Sequence, residues 1–232
     1  MTSTTEPATD PREVPILYRD DRFVAVDKPG GLLVHRSTES SDRIALLQIV
    51  RDQIDAYVHP IHRLDRAASG VVLFALDPEA AAAAQAALAR PDTRKLYLAL
   101  VRGSTEASFE SRRPLHAASG KPREARTGFR RLGEMSGCTL LEVRIHSGRR
   151  HQIRRHLSHL AHQVIGDSRY GKGRINGFLR ERYGLPRLFL HSRLLEFENP
   201  LSDGTIRIES PLACDLRDFL RRLPDTPAHL LA

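Results

Sequence analysis

The stretch "GVVLFALDPEAAAAAQAALARPDTRKLYLALVRG", residues 70–103, decides the fold class of this chain of 232 residues. It opens with a continuous apolar run over 70–77, the length expected for a strand that is buried on both faces. Pro78 then begins an alanine-rich helix, because proline suits the first turn of a helix. Alternating apolar residues over 94–103 indicate a second strand. The stretch therefore predicts a strand, a helix and a strand in that order.

The chain outside this unit is mostly strand-like. A strand is expected at 22–27, followed by a turn at Pro29-Gly30-Gly31 and further extended chain in "LLVH". A helix is expected over 40–54, where Ser41 can cap it. Later strands are predicted at 125–135, 138–147, 188–200 and 204–212.

Helices are predicted at 151–162 and 214–223, with a long loop between Tyr170 and Leu188. These elements favour an α+β fold with one mixed, mostly antiparallel sheet and flanking helices. We interpret residues 12–224 as a single domain. Residues 1–11 are expected to form a disordered tail and residues 225–232 a C-terminal tail that frays.

Composition indicates a cytoplasmic protein. The N-terminus lacks the apolar core of a signal peptide, and no apolar run has the length of a membrane span. The two cysteines, Cys138 and Cys214, have apolar sequence neighbours. We expect both to be buried free thiols in a reducing compartment.

Positive charge is concentrated in one part of the chain. The formal net charge is +8, yet the window 143–193 alone holds twelve Lys/Arg and two Asp/Glu, a local net of +10. Such a window is typical of a surface that binds a polyanion, with nucleic acid favoured over membrane. An ordinary solvated basic face is the simpler alternative.

Several familiar site types do not fit. "HRLD" lacks the order and the partner motifs of a kinase catalytic loop. "GKGRING", residues 171–177, has the wrong spacing for a dinucleotide loop. The four histidines of the predicted helix 151–162 lack a carboxylate or cysteine placed to complete a metal site, so no metal is expected.

Three segments remain as candidates for chemistry: "HRLDRAASG" with Asp65, "RKLYLALV" with Tyr97, and "GRRHQIRRHL" with four arginines. A carboxylate that stays ionised in a half-buried cleft needs a cationic partner such as arginine. A tyrosine can stack on a planar base. Each segment alone has an ordinary structural explanation, but the three together favour a site that acts on nucleic acid.

These motifs resemble those of RNA pseudouridine synthases of the RluA type. "HRLDRAASG" resembles the H-R-L-D-x-x-T/A-S-G signature, and "DKPGGLLVH" resembles the element that precedes it. "RKLYLALVRG" resembles the family's tyrosine strand. "SGRRHQIRRHL", "VIGDSRYG" and "LFLHSRLLEFENP" resemble the later motifs in their family order. The resemblance covers about residues 14–222, and its departures include Ala68 and Ser147, where threonine is common.

The resemblance implies an isomerase that breaks the glycosidic bond of a uridine and rejoins C5 of the base to the ribose. It implies that Asp65 is the essential carboxylate, as a nucleophile or as a base, and that Arg154 pairs with it. It also implies that Tyr97 stacks on the uracil and that Arg63 fills the space of the extruded nucleotide. The remaining expected RNA contacts are His62, Arg66, Arg149, Arg150, Arg155 and Lys172. No cofactor is implied, and a monomer is expected.

The segment from His156 to Ser192 resembles the branch of the family that modifies uridine 65 of tRNA. An rRNA target or another tRNA site is the alternative within the family. A catalytically inactive RNA-binding module is an alternative of another class, and a hydrolase of small nucleosides is a third. The basic window argues against the hydrolase, because a small substrate does not need it.

Overall fold

A computed structural model describes residues 13–36, 44–117 and 119–231. The expected N-terminal tail and the expected Ser41 cap lie outside these residues. Within them the chain forms five α-helices and twelve strands. The helices are α1 (Leu46–Ile54), α2 (Pro78–Ala89), α3 (Gln152–His159), α4 (Gly173–Tyr183) and α5 (Cys214–Arg222). The strands are β1 (Ile16–Arg19), β2 (Phe23–Lys28), β3 (His59–Pro60), β4 (Ser69–Ala75), β5 (Arg94–Arg102), β6 (Ser108–Ser111), β7 (Leu115–His116), β8 (Pro122–Arg123), β9 (Thr127–Met135), β10 (Cys138–Ile145), β11 (Leu190–Glu198) and β12 (Thr205–Glu209).

Ten of these strands form one sheet. Its main path runs β1-β2-β4-β11-β5-β10-β9-β6, with β12 paired to β11 and β3 paired to β4. Among the strands of the described residues, only the β4–β11 pair is parallel, and β7 and β8 form a separate hairpin. The mixed, mostly antiparallel sheet and the flanking helices confirm the predicted fold class.

The strand–helix–strand unit forms the centre of the sheet, as predicted. Every residue of β4 is buried, because both faces of the sheet are covered. Val72 and Phe74 face a cluster that includes residues of α1 and α3. Val71 and Leu73 face the opposite side, where the alanines of α2 pack closely on the strands. Asp77 caps α2 by accepting the backbone N–H of Ala80 at 2.8 Å.

Helix α4 is the main feature that the sequence prediction missed, since residues 173–183 were expected to be loop. Its apolar periodicity is interrupted by two glycines and several arginines, which hides the helical pattern. The helix ends at Gly184, whose φ of +68° suits glycine at a helix C-terminus. The prediction of an extended "LLVH" was also wrong, because residues 32–35 form no strand.

Two smaller expectations need correction. Cys138 is buried, but Cys214 is exposed at the start of α5. The C-terminal segment expected to fray contains a 3₁₀ turn at Ala228–Leu230, and Leu230 packs on the cluster around α5. No helix in the described parts of the chain is both long and apolar enough to cross a membrane.

Candidate active site

Asp65 lies in the loop between β3 and β4, where the chain enters the centre of the sheet. Its backbone carbonyl accepts the N–H of Ala68 at 3.0 Å, which closes a turn just before β4. Gly70 follows at the closest approach of β4 to β11. A Cβ at Gly70 would lie 2.1 Å from the carbonyl oxygen of Ser192, and its φ is +104°, so only glycine fits there. The strand pairing therefore fixes where the loop presents Asp65.

Arg154 joins Asp65 to a second carboxylate. Its Nη1 donates to Oδ2 of Asp65 at 2.8 Å. Its Nε and Nη2 donate to the two oxygens of Asp167 at 2.7 and 2.9 Å. This paired contact uses the fork of the guanidinium and fixes the direction in which Nη1 points.

Arg154 and Asp167 each stabilise the charged form of the other. Burial acts to lower the pKa of Arg154, but hydrogen bonds to Asp167 and Asp65 outweigh burial and raise it. Burial acts to raise the pKa of Asp167, but Arg154 and the backbone N–H of Tyr170 hold it below its usual range. Arg154 therefore stays charged beside Asp65, and Asp167 is an ionised anchor behind it.

His151 approaches Asp65 from the other side. Its Nε2 lies 3.7 Å from Oδ1 of Asp65, and its Nδ1 lies 3.1 Å from the hydroxyl of Tyr170. The guanidinium of Arg154 lies 5.2 Å from the centroid of the Tyr170 ring. Asp167 accepts the backbone N–H of Tyr170 at 2.9 Å. Asp65, His151, Tyr170 and Arg154 therefore contact one another in a closed ring. Within it, Tyr170 contacts both residues that bind the Asp65 carboxylate.

Tyr97 lies on β5 opposite Ser192 of β11 and is buried. The side chain of Ser192 neighbours its hydroxyl. Burial raises the pKa of Tyr97 to about 12, and the charge of Asp65 adds to that effect although the Ser192 contact opposes it. Tyr97 is therefore a neutral phenol at physiological pH.

A cavity of about 650 Å³ unites these groups. Asp65, Tyr97, His151 and Arg154 all line it, together with apolar side chains of β10 and β11. Its size is in the range of pockets that enclose one small molecule. The cavity has room for one planar base held against charged groups.

The expected RNA contacts fall into two groups. Arg63, Arg66 and Arg150 are exposed, and Arg63 and Arg150 line the cavity. Arg63 makes no ion pair or hydrogen bond with any residue that the structure describes. Arg66 donates from Nε to the carbonyl of Gly31 at 3.0 Å, which ties the Asp65 loop to the turn after β2. Lys172 is exposed just before α4 and does not line the cavity.

The other three expected contacts hold protein backbone. His62 lines the cavity, but its Nε2 accepts the N–H of Leu73 at 3.1 Å, and burial lowers its pKa to about 4. Arg149 donates to the carbonyl of Glu124 and Arg155 to the carbonyl of His116, both at 3.1 Å. These two arginines therefore fasten the segment around the β7–β8 hairpin to the start of α3.

Sequence reasoning missed the residues that support the site. Asp167 and Tyr170 fall in the quoted motif "VIGDSRYG", but nothing in their spacing showed that they would contact Arg154. Lys28 is fully buried, and its Nζ donates to the carbonyls of Pro29, Leu32 and Arg66. Burial lowers the pKa of Lys28 to about 7, and the charge of Arg187 adds to that effect. A lysine inside a Pro-Gly turn motif is the signal that could have pointed to this role.

One of the α3 histidines is held by contacts within the protein. His156 is buried, with Nδ1 2.8 Å from the hydroxyl of Thr127 and Nε2 2.9 Å from the carbonyl of Arg113. Among the described residues, no group of three or more His, Cys, Asp or Glu side chains is placed to hold a metal ion.

Comparison with known sequences identifies relatives over most of the chain. Residues 22–159 match the profile of the RNA pseudouridylate synthase family. A protein of Haemophilus ducreyi named tRNA pseudouridine synthase C is 37% identical over 222 residues, covering 86% of this chain and 91% of that protein. The protein of the same name from Pasteurella multocida is 38% identical over 216 residues, covering 83% and 89%.

Solved structures show the same fold. Human RNA pseudouridylate synthase domain containing 4 superposes with a TM-score of 0.74 at 23% identity, covering 90% of this chain and 92% of that one. Human RNA pseudouridylate synthase domain containing 1 superposes with a TM-score of 0.71 at 23% identity, covering 91% and 89%. The sheet and helices described above are therefore arranged as in these proteins.

Proposed function

The chain belongs to the RNA pseudouridylate synthase family, and from that membership we propose that it converts one uridine of tRNA to pseudouridine. Its enzyme class is isomerase, with RNA as the substrate class. The reaction cleaves the N-glycosidic bond of the uridine, turns the base and joins its C5 to C1′ of the same ribose. No atom is gained or lost, so the protein must hold the detached base throughout.

The observation that carries the proposal is the placement of Asp65 in the cavity, with one carboxylate oxygen on Arg154. A nearby guanidinium favours the ionised carboxylate, the form required to attack the sugar or to remove a proton from it. Asp167 holds Arg154 from behind by two hydrogen bonds. Arg154 therefore places a fixed positive charge beside Asp65 and is not free to swing into the substrate.

Tyr97 is proposed to stack on the uracil during this step. It is held by β5 on one side of the cavity, opposite Ser192 of β11. An aromatic face that is fixed in this way can retain a base after its bond to the sugar is broken. With a pKa of about 12, the phenol carries its proton when the substrate enters.

Arg63 is proposed to occupy the space that the target nucleotide leaves. A base inside a helical stem must be extruded before it can enter the cavity, which costs a few kcal/mol of lost stacking and pairing. Arg63 is exposed at the cavity, and its charge attracts the surrounding phosphates. An inserted cation therefore offsets part of the extrusion cost.

The proposal that the substrate is tRNA rests on the names of the relatives. The two cited relatives and others 34–37% identical to this chain carry the name tRNA pseudouridine synthase C. The segment from His156 to Ser192 also resembles the branch that modifies uridine 65, and we propose that position as the target. A tRNA substrate would place the enzyme in the cytoplasm. Action as a monomer and without a metal or organic cofactor completes the proposal.

Mapping pseudouridines in cells with and without this gene tests the proposal. Carbodiimide labelling of total tRNA and rRNA marks pseudouridines as stops for reverse transcription. A stop lost at tRNA position 65 is the expected result. Loss of a stop in rRNA or at another tRNA position instead would retain the isomerase and overturn the proposed target. Unchanged stops, together with no product from purified protein and bulk RNA, would favour the inactive binding module.

A further inference from the structure

Helix α4 presents an exposed aromatic side chain between two arginines. Arg174, Phe178 and Arg182 are spaced by four residues, so they lie along one face of the helix. All three are exposed, and Phe178 is 57% exposed despite being a large apolar residue. We name these three residues the α4 stripe. At a rise of 1.5 Å per residue, the stripe is about 12 Å long.

The opposite face of α4 is fixed to the active site. Asn176 is buried, and its side chain donates to the carbonyl of Asp167 at 3.0 Å and accepts the N–H of Gly166 at 2.9 Å. Gly171 packs so closely on the same turn that a Cβ would lie 2.2 Å from the carbonyl oxygen of Asp167. Since Asp167 holds Arg154, the helix is anchored to the turn that supports the catalytic carboxylate.

The two positive charges of the α4 stripe are not paired with acidic residues in the described part of the chain. Arg174 and Arg182 make no salt bridge with any residue in the described ranges. Arg182 lies 6.0 Å from the centroid of the Tyr183 ring, a contact that leaves its hydrogen-bond donors exposed. Glu181 is the only acidic residue between Arg169 and Arg182, a segment that holds five Lys/Arg. The surface is therefore complementary to a polyanion.

The phenylalanine distinguishes this surface from an ordinary solvated helix face. Exposed arginines need no partner, because they are well hydrated. A benzyl side chain at the centre of such a stripe gains nothing from water, and its ring contacts Tyr183 only edge to face at a centroid distance of 6.0 Å. Aromatic side chains flanked by cations are the usual means of binding unpaired nucleotides, with the base on the ring and the phosphates on the cations.

We propose that the α4 stripe binds an unpaired strand of the RNA substrate outside the cavity, with Phe178 stacked on a base and Arg174 and Arg182 on phosphates. The inference rests on the proposed function, because it takes the substrate RNA as the partner. The contact extends the bound RNA beyond the single nucleotide in the cavity. It favours a folded tRNA, in which loops lie beside stems, over an isolated stem.

The test compares Phe178→Ala and the double variant Arg174→Ala/Arg182→Ala with wild type. Affinity for intact tRNA is measured at several salt concentrations, and turnover is measured on intact tRNA and on a hairpin trimmed to the modified stem. We expect each variant to lose about tenfold in tRNA affinity. The double variant should also lower the slope of log affinity against log salt by about 1.4, whereas Phe178→Ala should leave that slope unchanged. Turnover on the trimmed hairpin should match wild type for both.

Arg180→Ala is the matched control, since Arg180 is exposed on the same helix but lies about 160° around the axis from Phe178. Its tRNA affinity should stay within about twofold of wild type. Equal losses of tRNA affinity in Arg180→Ala and in the double variant would contradict the proposed role of the α4 stripe. Wild-type tRNA affinity in Phe178→Ala would also contradict it. A change of oligomeric state in Phe178→Ala with unchanged RNA affinity would indicate a protein partner instead. If wild-type protein neither binds nor modifies tRNA, the proposed function fails; if it does both and the variants equal it, only the stripe fails.

Discussion

Nε2 of His151 lies 3.7 Å from Oδ1 of Asp65, while Arg154 binds the other oxygen of the same carboxylate. Burial lowers the pKa of His151 below its ordinary value of 6.5. Asp65 opposes that effect, and the charges of Arg154, Arg150 and Arg169 reinforce it. His151 is therefore neutral near pH 7.5, and Asp65 has one cationic neighbour at that pH.

This relationship predicts an acidic limit to activity. As the pH falls through the lowered pKa of His151, the ring gains a charge and pairs with Oδ1, which reduces the reactivity of Asp65. In His151→Gln the loss of activity should begin at lower pH than in wild type, because no imidazolium can then form beside Asp65. The pH profile of turnover under saturating RNA gives this value. If turnover falls at the same acidic pH in wild type and in His151→Gln, His151 is not the group that limits activity.

Asp65→Asn should abolish turnover while leaving the protein folded. The amide has nearly the shape of the carboxylate, but it can neither attack the sugar nor accept a proton, so we expect a loss of about 10⁴-fold or more. RNA affinity and the unfolding midpoint should stay close to wild type. Pseudouridine formation in a single turnover is the measurement. The control is Asp203→Asn, the same change in an exposed turn after β11, which should be fully active.

Asp167→Asn should weaken both activity and stability. Asp167 is fully buried and binds Arg154 through two hydrogen bonds, whereas Asp65 is partly exposed and accepts one, so loss of the Asp167 charge should cost about 3 kcal/mol of unfolding free energy. Displacement of Arg154 should lower turnover by about 100-fold. Urea unfolding and single-turnover rates measure the two effects. Asp218→Asn removes an exposed ion pair with Arg221 and is the control. It should change the unfolding free energy and the turnover rate only slightly. Equal stability losses in the two variants would contradict the anchoring role.

The main strands of the sheet could be predicted because each has a local pattern of apolar residues in the sequence. The apolar run at 70–77 and the alternation at 94–103 correspond to β4 and β5. Burial covers all of β4 and the consecutive residues 96–101 of β5, so the apolar content of both strands follows from burial on two faces. Helix α2 begins at Pro78 and ends at Ala89, the bounds of its alanine-rich segment. Helix α4 was missed because its stability depends on tertiary contacts of Asn176 and Leu179 rather than on apolar periodicity.

The site was predictable only in part, for a related reason. Asp65, Tyr97 and Arg154 stand in recognisable motifs, and the structure brings all three to one cavity. The side chains that hold them could not be read from spacing, because their contacts form only in the folded chain. Asp167 is 13 positions from Arg154, and the carbonyl of Arg66 is 38 positions from Lys28. His62, an expected RNA contact, also accepts the backbone N–H of Leu73, a role that its spacing did not show.

Arg63→Ala should impair activity on structured RNA more than on a flexible fragment. If Arg63 offsets the cost of extruding a base from a stem, its loss should lower turnover on intact tRNA by about 10- to 100-fold. A short single-stranded RNA with the same uridine needs no extrusion and should react within about threefold of wild type. Arg19→Ala removes an exposed arginine from the edge strand β1 and should affect neither substrate. Equal losses on both RNAs would count against an extrusion role.

Lys28→Met should destabilise both the turn after β2 and the loop that carries Asp65. The substitution keeps the side-chain volume but removes three hydrogen bonds, at 2.7, 2.7 and 3.1 Å. The carbonyls of Pro29 and Leu32 lose this donor, while the carbonyl of Arg66 keeps the N–H of Gly31. We expect a loss of about 3 kcal/mol in unfolding free energy by urea titration. Lys95→Met is the matched control, because Nζ of Lys95 donates to one carbonyl, that of Leu88, and the expected loss is about 1 kcal/mol. Because the carbonyl of Arg66 is one of the three acceptors, turnover by the folded fraction of Lys28→Met should also fall. Wild-type turnover in that fraction would show that the Asp65 loop is held by Arg66 and the β4 pairing alone.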